Sequence, residues 1–178
     1  MVSRSVDAVG AAFYVPNKSA IERAFVRLPH LTLNKWGLWF QEGEEITHAR
    51  TVELLHKSFL RVNDSEWAVR TGEEMLPVIL EDVPYFISEF DQDREKIKLL
   101  QNTWVDFLPD TLQVGAENIL YVDVQFPNGT IERAKFLKAA YYEISKLIEE
   151  KNSAGRSVEY LLHFRGRYYK IAISAQGK

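Results

Sequence analysis

Two adjacent carboxylates, Glu81 and Asp82, stand just before Val83-Pro84 in an otherwise apolar stretch, and they are the residues of this chain best placed to do chemistry. Neighbouring side chains in a strand point to opposite faces, so the two do not form a simple acid/base pair while the strand continues. Pro84 favours a break, and a break turns both toward a cleft. The competing reading is that Asp82 closes a turn by accepting from downstream backbone amides. We assign one carboxylate to that structural role and the other to a pocket. Complementary groups lie in the second half of the chain. Lys135 and Lys138, followed by Tyr141 and Tyr142, offer two cations for pairing with an anion and two rings for an aromatic wall. A solvated helix face is the competing reading for the lysines.

Other chemistries find little support. The four histidines, His30, His48, His56 and His163, are scattered, and no pair has the i, i+4 spacing that sets two imidazoles on one helix face. His56 falls on an apolar stripe and reads as a hydrogen-bonded core residue. The sequence therefore assigns no metal site and no cofactor. No glycine-x-serine-x-glycine elbow occurs, and Ser58 and Ser145 have no identifiable base. The glycines at 115, 129, 155 and 166 are isolated turn residues, so a phosphate-cradling loop is missing. A hydrolase built on Glu81 or Asp82 with His48 or His163 as base would need those residues to converge, of which the sequence gives no sign. We assign no catalytic residue, and the reading favours a non-enzymatic protein.

Composition narrows the class further. The 178 residues carry a formal charge of −3 and are 46% hydrophobic, enough for sizeable cores and too acidic for general attraction to nucleic acid or anionic lipid. The one aromatic-cationic cluster, Arg165, Arg167, Tyr168, Tyr169 and Lys170, alternates like an edge strand rather than a base-stacking groove. There is no cysteine, which suits a reducing cytoplasm, and no apolar run approaches the roughly twenty residues of a membrane helix. Nucleic-acid and membrane partners are thus not expected, and the expected location is the cytoplasm.

These residues must be positioned by elements that look like one unit written twice. Gly43 is followed by Ile46, Ala49, Arg50, Val52, Leu55, His56 and Phe59; Gly129 is followed by Ile131, Ala134, Lys135, Leu137, Ala140, Tyr141 and Ile144. Helical spacing predicts helices over 47–62 and 134–151. A capping box at Ser19 and Glu22 predicts a further helix ending at Pro29. Strands are expected at 31–40, 66–70, 76–80 and 85–90, with Pro77 implying an edge position or a strand start. More are expected at 97–100, 103–108, 118–126, 158–164 and 167–173. The whole reads as an α+β protein of two small domains from an internal duplication, 1–92 and 93–178, each with antiparallel strands packed on a helix. The charged stretch Asp91 to Lys96 marks their boundary.

The run Gly43-Glu44-Glu45-Ile46, then Thr71 and Glu74, then Val78-Ile79-Leu80-Glu81-Asp82-Val83-Pro84-Tyr85-Phe86 resembles the bacterial family catalogued as domain of unknown function 1285. The likeness is good over about 36–90 and looser beyond it. His48 stands where that family tends to have arginine, and Met75 where it tends to have lysine. The resemblance implies a duplicated two-domain molecule with a pleckstrin-homology-like C-terminal half. It also implies an interdomain pocket suited to a nucleotide-like ligand, with a role in signalling. The expected site is then Glu81, Asp82, Lys135, Lys138, Tyr141, Tyr142 and His48. The alternative is an adaptor that engages a protein partner through an exposed sheet edge or helix groove.

Overall fold

The computed structural model describes residues 30–152 and 158–173. The helix expected after Ser19 lies outside them. Within them the protein is mainly β: three sheets and two short α-helices, rather than the balanced α+β arrangement expected.

The first sheet is assembled from β1 (Leu31–Leu33), β2 (Trp39–Gln41), β3 (Glu44–Glu45), β4 (Phe59–Arg61), β5 (Trp67–Thr71) and β6 (Glu74–Leu80), in the order β3-β2-β1-β6-β5-β4. The segment 31–40 is not one strand, because Gly37 turns it into a hairpin. Gly37 has φ +81, and a Cβ there would lie 3.0 Å from Leu100 Cδ1 and 3.1 Å from Phe86 Cγ. Left-handed backbone and close packing both demand glycine here. Gly37→Ala should cost about 2 kcal/mol in a urea melt, while Gly43→Ala, at φ +87 but with open space around it, should cost less.

Pro77 lies in the middle of an interior strand, neither at the edge nor at the strand start expected. Across the two-residue turn from Thr71 to Glu74, the pair Ala68–Pro77 falls at a wide position of the β5–β6 ladder. The proline nitrogen therefore faces the β1 side, where parallel pairing begins only at Val78. No donor is required of it.

Helix α1 (Ala49–Ser58) is shorter than its apolar spacing suggested. His48 caps it, its Nδ1 accepting from Thr51 N at 3.4 Å, and Leu55 and His56 are its buried face. Phe59, expected on the helix, is extended and opens β4, where it stacks on Trp67 at 4.9 Å between ring centroids. Beta pairing with β5 wins over the helical periodicity.

The chain leaves this sheet at Leu80 and passes through Glu81–Pro84 into β7 (Tyr85–Asp91) of a second sheet. That sheet adds β8 (Lys96–Leu99), β9 (Trp104–Asp106), β10 (Gln113–Val114), β11 (Leu120–Gln125), β12 (Ile131–Phe136) and β16 (Ala172–Ile173), ordered β16-β10-β11-β12-β7-β8-β9. The strand β12 replaces the first turns of the helix expected from Ala134. Only Lys138–Ser145 is helical, as α2, and Ile148–Asn152 is strand β13, which pairs with β14 (Val158–Phe164) and through it β15 (Arg167–Lys170). The residue correspondence Ala49/Ala134 therefore fails, since the first opens a helix and the second sits inside a strand.

The order of pairing nonetheless recurs. In the first sheet β1 has β2 then β3 on one side and pairs in parallel with β6 on the other, which leads to β5 and β4. Strand β10 has β11 then β12 on one side and pairs in parallel with β16, whose preceding strand β15 leads to β14 and β13.

Among the described residues two apolar clusters form the interior. One lies inside the second sheet and the β13–β15 sheet around Ile87, Val124, Ile144 and Leu162. The other joins Leu33, Trp39, Val69 and Val78 of the first sheet to Phe86 and Tyr121 of the second. Strand β11 alternates as its sequence suggests, yet Tyr121 is also buried because the first sheet covers that face.

Candidate ligand groove at the seam

The expected carboxylates lie at the crossing between the sheets, and the structure fixes both. Glu81 Oε2 accepts from the Lys35 backbone amide at 3.1 Å. Asp82 Oδ2 accepts from Lys135 Nζ at 2.9 Å and from the Tyr121 hydroxyl at 3.1 Å. Lys135 Nζ also donates to the Lys35 carbonyl at 2.6 Å. Lys135 reaches this position from β12, not from a helix, and only 8% of its side chain is exposed, against 22% for Asp82. Burial first, then the Asp82 charge and hydrogen bond, push the Tyr121 hydroxyl up to about 12. Asp82 thus turns to groups across the seam rather than to downstream amides. The ammonium and carboxylate already satisfy one another, and the cluster ties the Asn34–Leu38 turn, the Glu81–Pro84 crossing and the second sheet together.

The other expected residues do not join it. Lys138 is exposed at the first position of α2, Tyr141 packs partly against the cluster around Ile87 and Ile144, and Tyr142 is exposed beside it at 6.2 Å in edge geometry. His48 is exposed as the cap of α1. Among the described residues no group of three His, Asp or Glu side chains could hold a metal.

A groove of about 710 Å³ opens elsewhere on the seam, lined by none of those residues. One wall is β4 and the residues after it, from Phe59 to Asp64, with Arg70 and Met75; the other is Phe126, Pro127, Asn128, Thr130 and Glu132 around the β11–β12 turn. Asn128-Gly129 makes that turn tight: Gly129 has φ +85 and Asn128 Oδ1 accepts from Thr130 N. Tyr85 forms the floor, with its ring 4.8 Å from Phe126, 6.1 Å from Phe59 and 5.9 Å from Trp67. Burial, and then the charge of Glu132, push its hydroxyl up to about 12, with Arg61 acting in the opposite sense.

Arg61 and Glu132 close the groove from opposite sides, 2.8 Å apart. The guanidinium is otherwise engaged by the backbone carbonyls of Asn63 at 2.9 Å and Asp64 at 3.0 Å. The Arg61 charge is therefore already neutralised. The volume is within the roughly 300–1,000 Å³ of ligand sites, and an apolar floor with a few convergent polar groups is their usual make-up.

Sequence reasoning missed these residues for identifiable reasons. Tyr85 and Phe126 read as ordinary strand aromatics, and Arg61 and Glu132 are 71 positions apart with no shared motif. The one available signal was Pro84-Tyr85, which places an aromatic at the first position after the chain changes sheet.

The fold and seam define a mainly-β molecule with a groove between two sheets, and no helix among the described residues is long and apolar enough to cross a membrane. The chain is similar to two solved structures of DUF1285 family proteins, the family that its sequence resembles. One, from Silicibacter pomeroyi, is 16% identical, with 80% of this chain and 79% of that one covered and a TM-score of 0.48. The other, from Shewanella baltica, is 20% identical, with 67% and 92% covered and a TM-score of 0.49. No family model and no curated protein matches the chain.

Proposed function

We propose that this is a non-enzymatic, ligand-binding regulatory protein whose site is the groove along the seam. The observation that carries the reading is that the two walls of the groove belong to different sheets, so a bound molecule couples them. On this reading the recurring strand order reflects an internal duplication, with the pleckstrin-homology-like character of the second half as part of the same proposal, and a role in signalling follows from the coupling. Were the ligand nucleotide-like, its base would lie on Phe126 and Tyr85, and its phosphate would have to displace Glu132 from Arg61.

A thermal-shift screen of nucleotides, other metabolites and short peptides, run on the wild type and on Phe126→Ala in parallel, tests the site. At least one class should raise the wild-type melting temperature, with the affinity about tenfold weaker in the variant, the loss expected for one aromatic stacking contact. No stabilising compound in any class, or binding indifferent to Phe126→Ala, would overturn the reading. The adaptor alternative is favoured by one specific feature of the same groove, the outer edge of β4.

A further inference from the structure

Among the described residues strand β4 is the last strand of the first sheet and pairs on one side only, with β5. Val62 N donates to Glu66 O across the turn that joins them, at 2.8 Å. Inward and outward groups alternate along an antiparallel strand, so the N–H and C=O of Arg61, opposite Trp67, point away from β5. Among the described residues neither group has a hydrogen-bond partner. Phe59 to Asp64 form one wall of the groove, which places this edge along it.

The charges of the groove bear on what it takes. Of the two arginines that line the groove, Arg61 is spent on Glu132 and on two carbonyls, so an anionic ligand gains no ready cation from it. An uncharged backbone needs none. Hydrogen-bond groups of a strand edge on one wall, faced by Phe126 and Pro127 and floored by Tyr85, are what an extended chain requires: a ladder for its main chain and apolar surface for alternate side chains.

We propose that the partner of this groove is an extended polypeptide segment, uncharged at its centre and carrying an apolar side chain, that adds to β4 as a further strand and pairs with Arg61. The inference rests on the groove being the binding site and names the class of molecule that fills it.

The outward amide makes the test specific. Proline at an edge position whose N–H faces away from its partner strand keeps the sheet ladder but removes the donor and fills its place with a ring. Arg61→Pro is compared with Arg61→Ala, which loses the guanidinium alone. The probe is a synthetic peptide of about ten residues, selected from a random displayed library on the wild-type protein; a segment of this length spans a strand of ordinary size. By calorimetry Arg61→Pro should bind the peptide at least about tenfold more weakly than Arg61→Ala, in line with loss of a main-chain hydrogen bond and a steric block. In the wild type, the peptide should slow hydrogen exchange of the Arg61 amide, a readout that does not depend on the proline variant folding.

Equal affinity in the two variants, or an Arg61 amide whose exchange the peptide leaves unchanged, overturns the strand-addition proposal. So does a library that yields no peptide while a nucleotide binds in a Phe126-dependent way; that result leaves the groove standing and replaces its occupant. Failure of peptides and small molecules alike removes the groove reading itself.

Discussion

Asp82→Ala is expected to destabilise the protein by about 3 kcal/mol, and Lys135→Met by only about 1 kcal/mol. The inequality follows from where each charge is left. Without Asp82, the Lys135 ammonium keeps the Lys35 carbonyl but loses its counter-charge in a site where 8% of its side chain reaches solvent. Without Lys135, the Asp82 carboxylate retains the Tyr121 hydroxyl and has more than twice the relative exposure through which to be hydrated. The double variant should lie close to Lys135→Met alone, since removing the stranded charge removes most of the penalty. Urea melts of the three variants measure all of this. Equal single-variant losses, or additive ones, would show that the pair is solvated enough to be indifferent to its partner.

The second large effect is on pH. Trp39 Nε1 donates to the His56 ring, 3.2 Å from Nε2 and 3.3 Å from Nδ1, and the residue is 4% exposed. Accepting that bond requires a neutral imidazole, and burial lowers its pKa to about 4 from 6.5. Between these values the unfolded chain takes up a proton that the folded chain refuses. The contribution is therefore full above about pH 6.5 and is lost as the pH falls toward 4. At about 1.4 kcal/mol per unit, the loss is on the order of 3 kcal/mol. His56→Gln keeps an acceptor for Trp39 and cannot titrate. Its stability should fall less steeply than the wild type's between pH 6.5 and 4. Parallel curves would mean that His56 protonates without cost.

Much of the strand content was legible because turn chemistry announces it. Arg165-Gly166 and the Thr71–Glu74 turn are local signals, and the strands expected on either side of each are paired; Asn128-Gly129 is a turn as well, but the strand that follows it was not expected. The second helix was misread for an equally physical reason. Ala134, Leu137, Ala140, Tyr141 and Ile144 fit helical spacing, but Ala134 is instead held between β11 and β7 with no exposure. A strand buried on both faces loses its period-2 signature, so periodicity could not decide it. The candidate site divides along the same line. Asp82 and Lys135 were chosen for type and do meet, because a charge placed in an apolar stretch must find a partner. Arg61, Glu132 and the β4 edge come together only through the docking of two sheets, which no local pattern records.

The opposite end of the first sheet has a different consequence. Strand β3 is two residues long, Glu44 and Glu45, both exposed. An unpaired edge is a template on which identical chains stack, and short acidic edges work against it. Two copies approaching edge to edge there would bring like carboxylates together at neutral pH, adding to the repulsion of a chain with net charge −3. The repulsion at β3 is screened by salt, so resistance to self-association through this edge is greatest at low ionic strength.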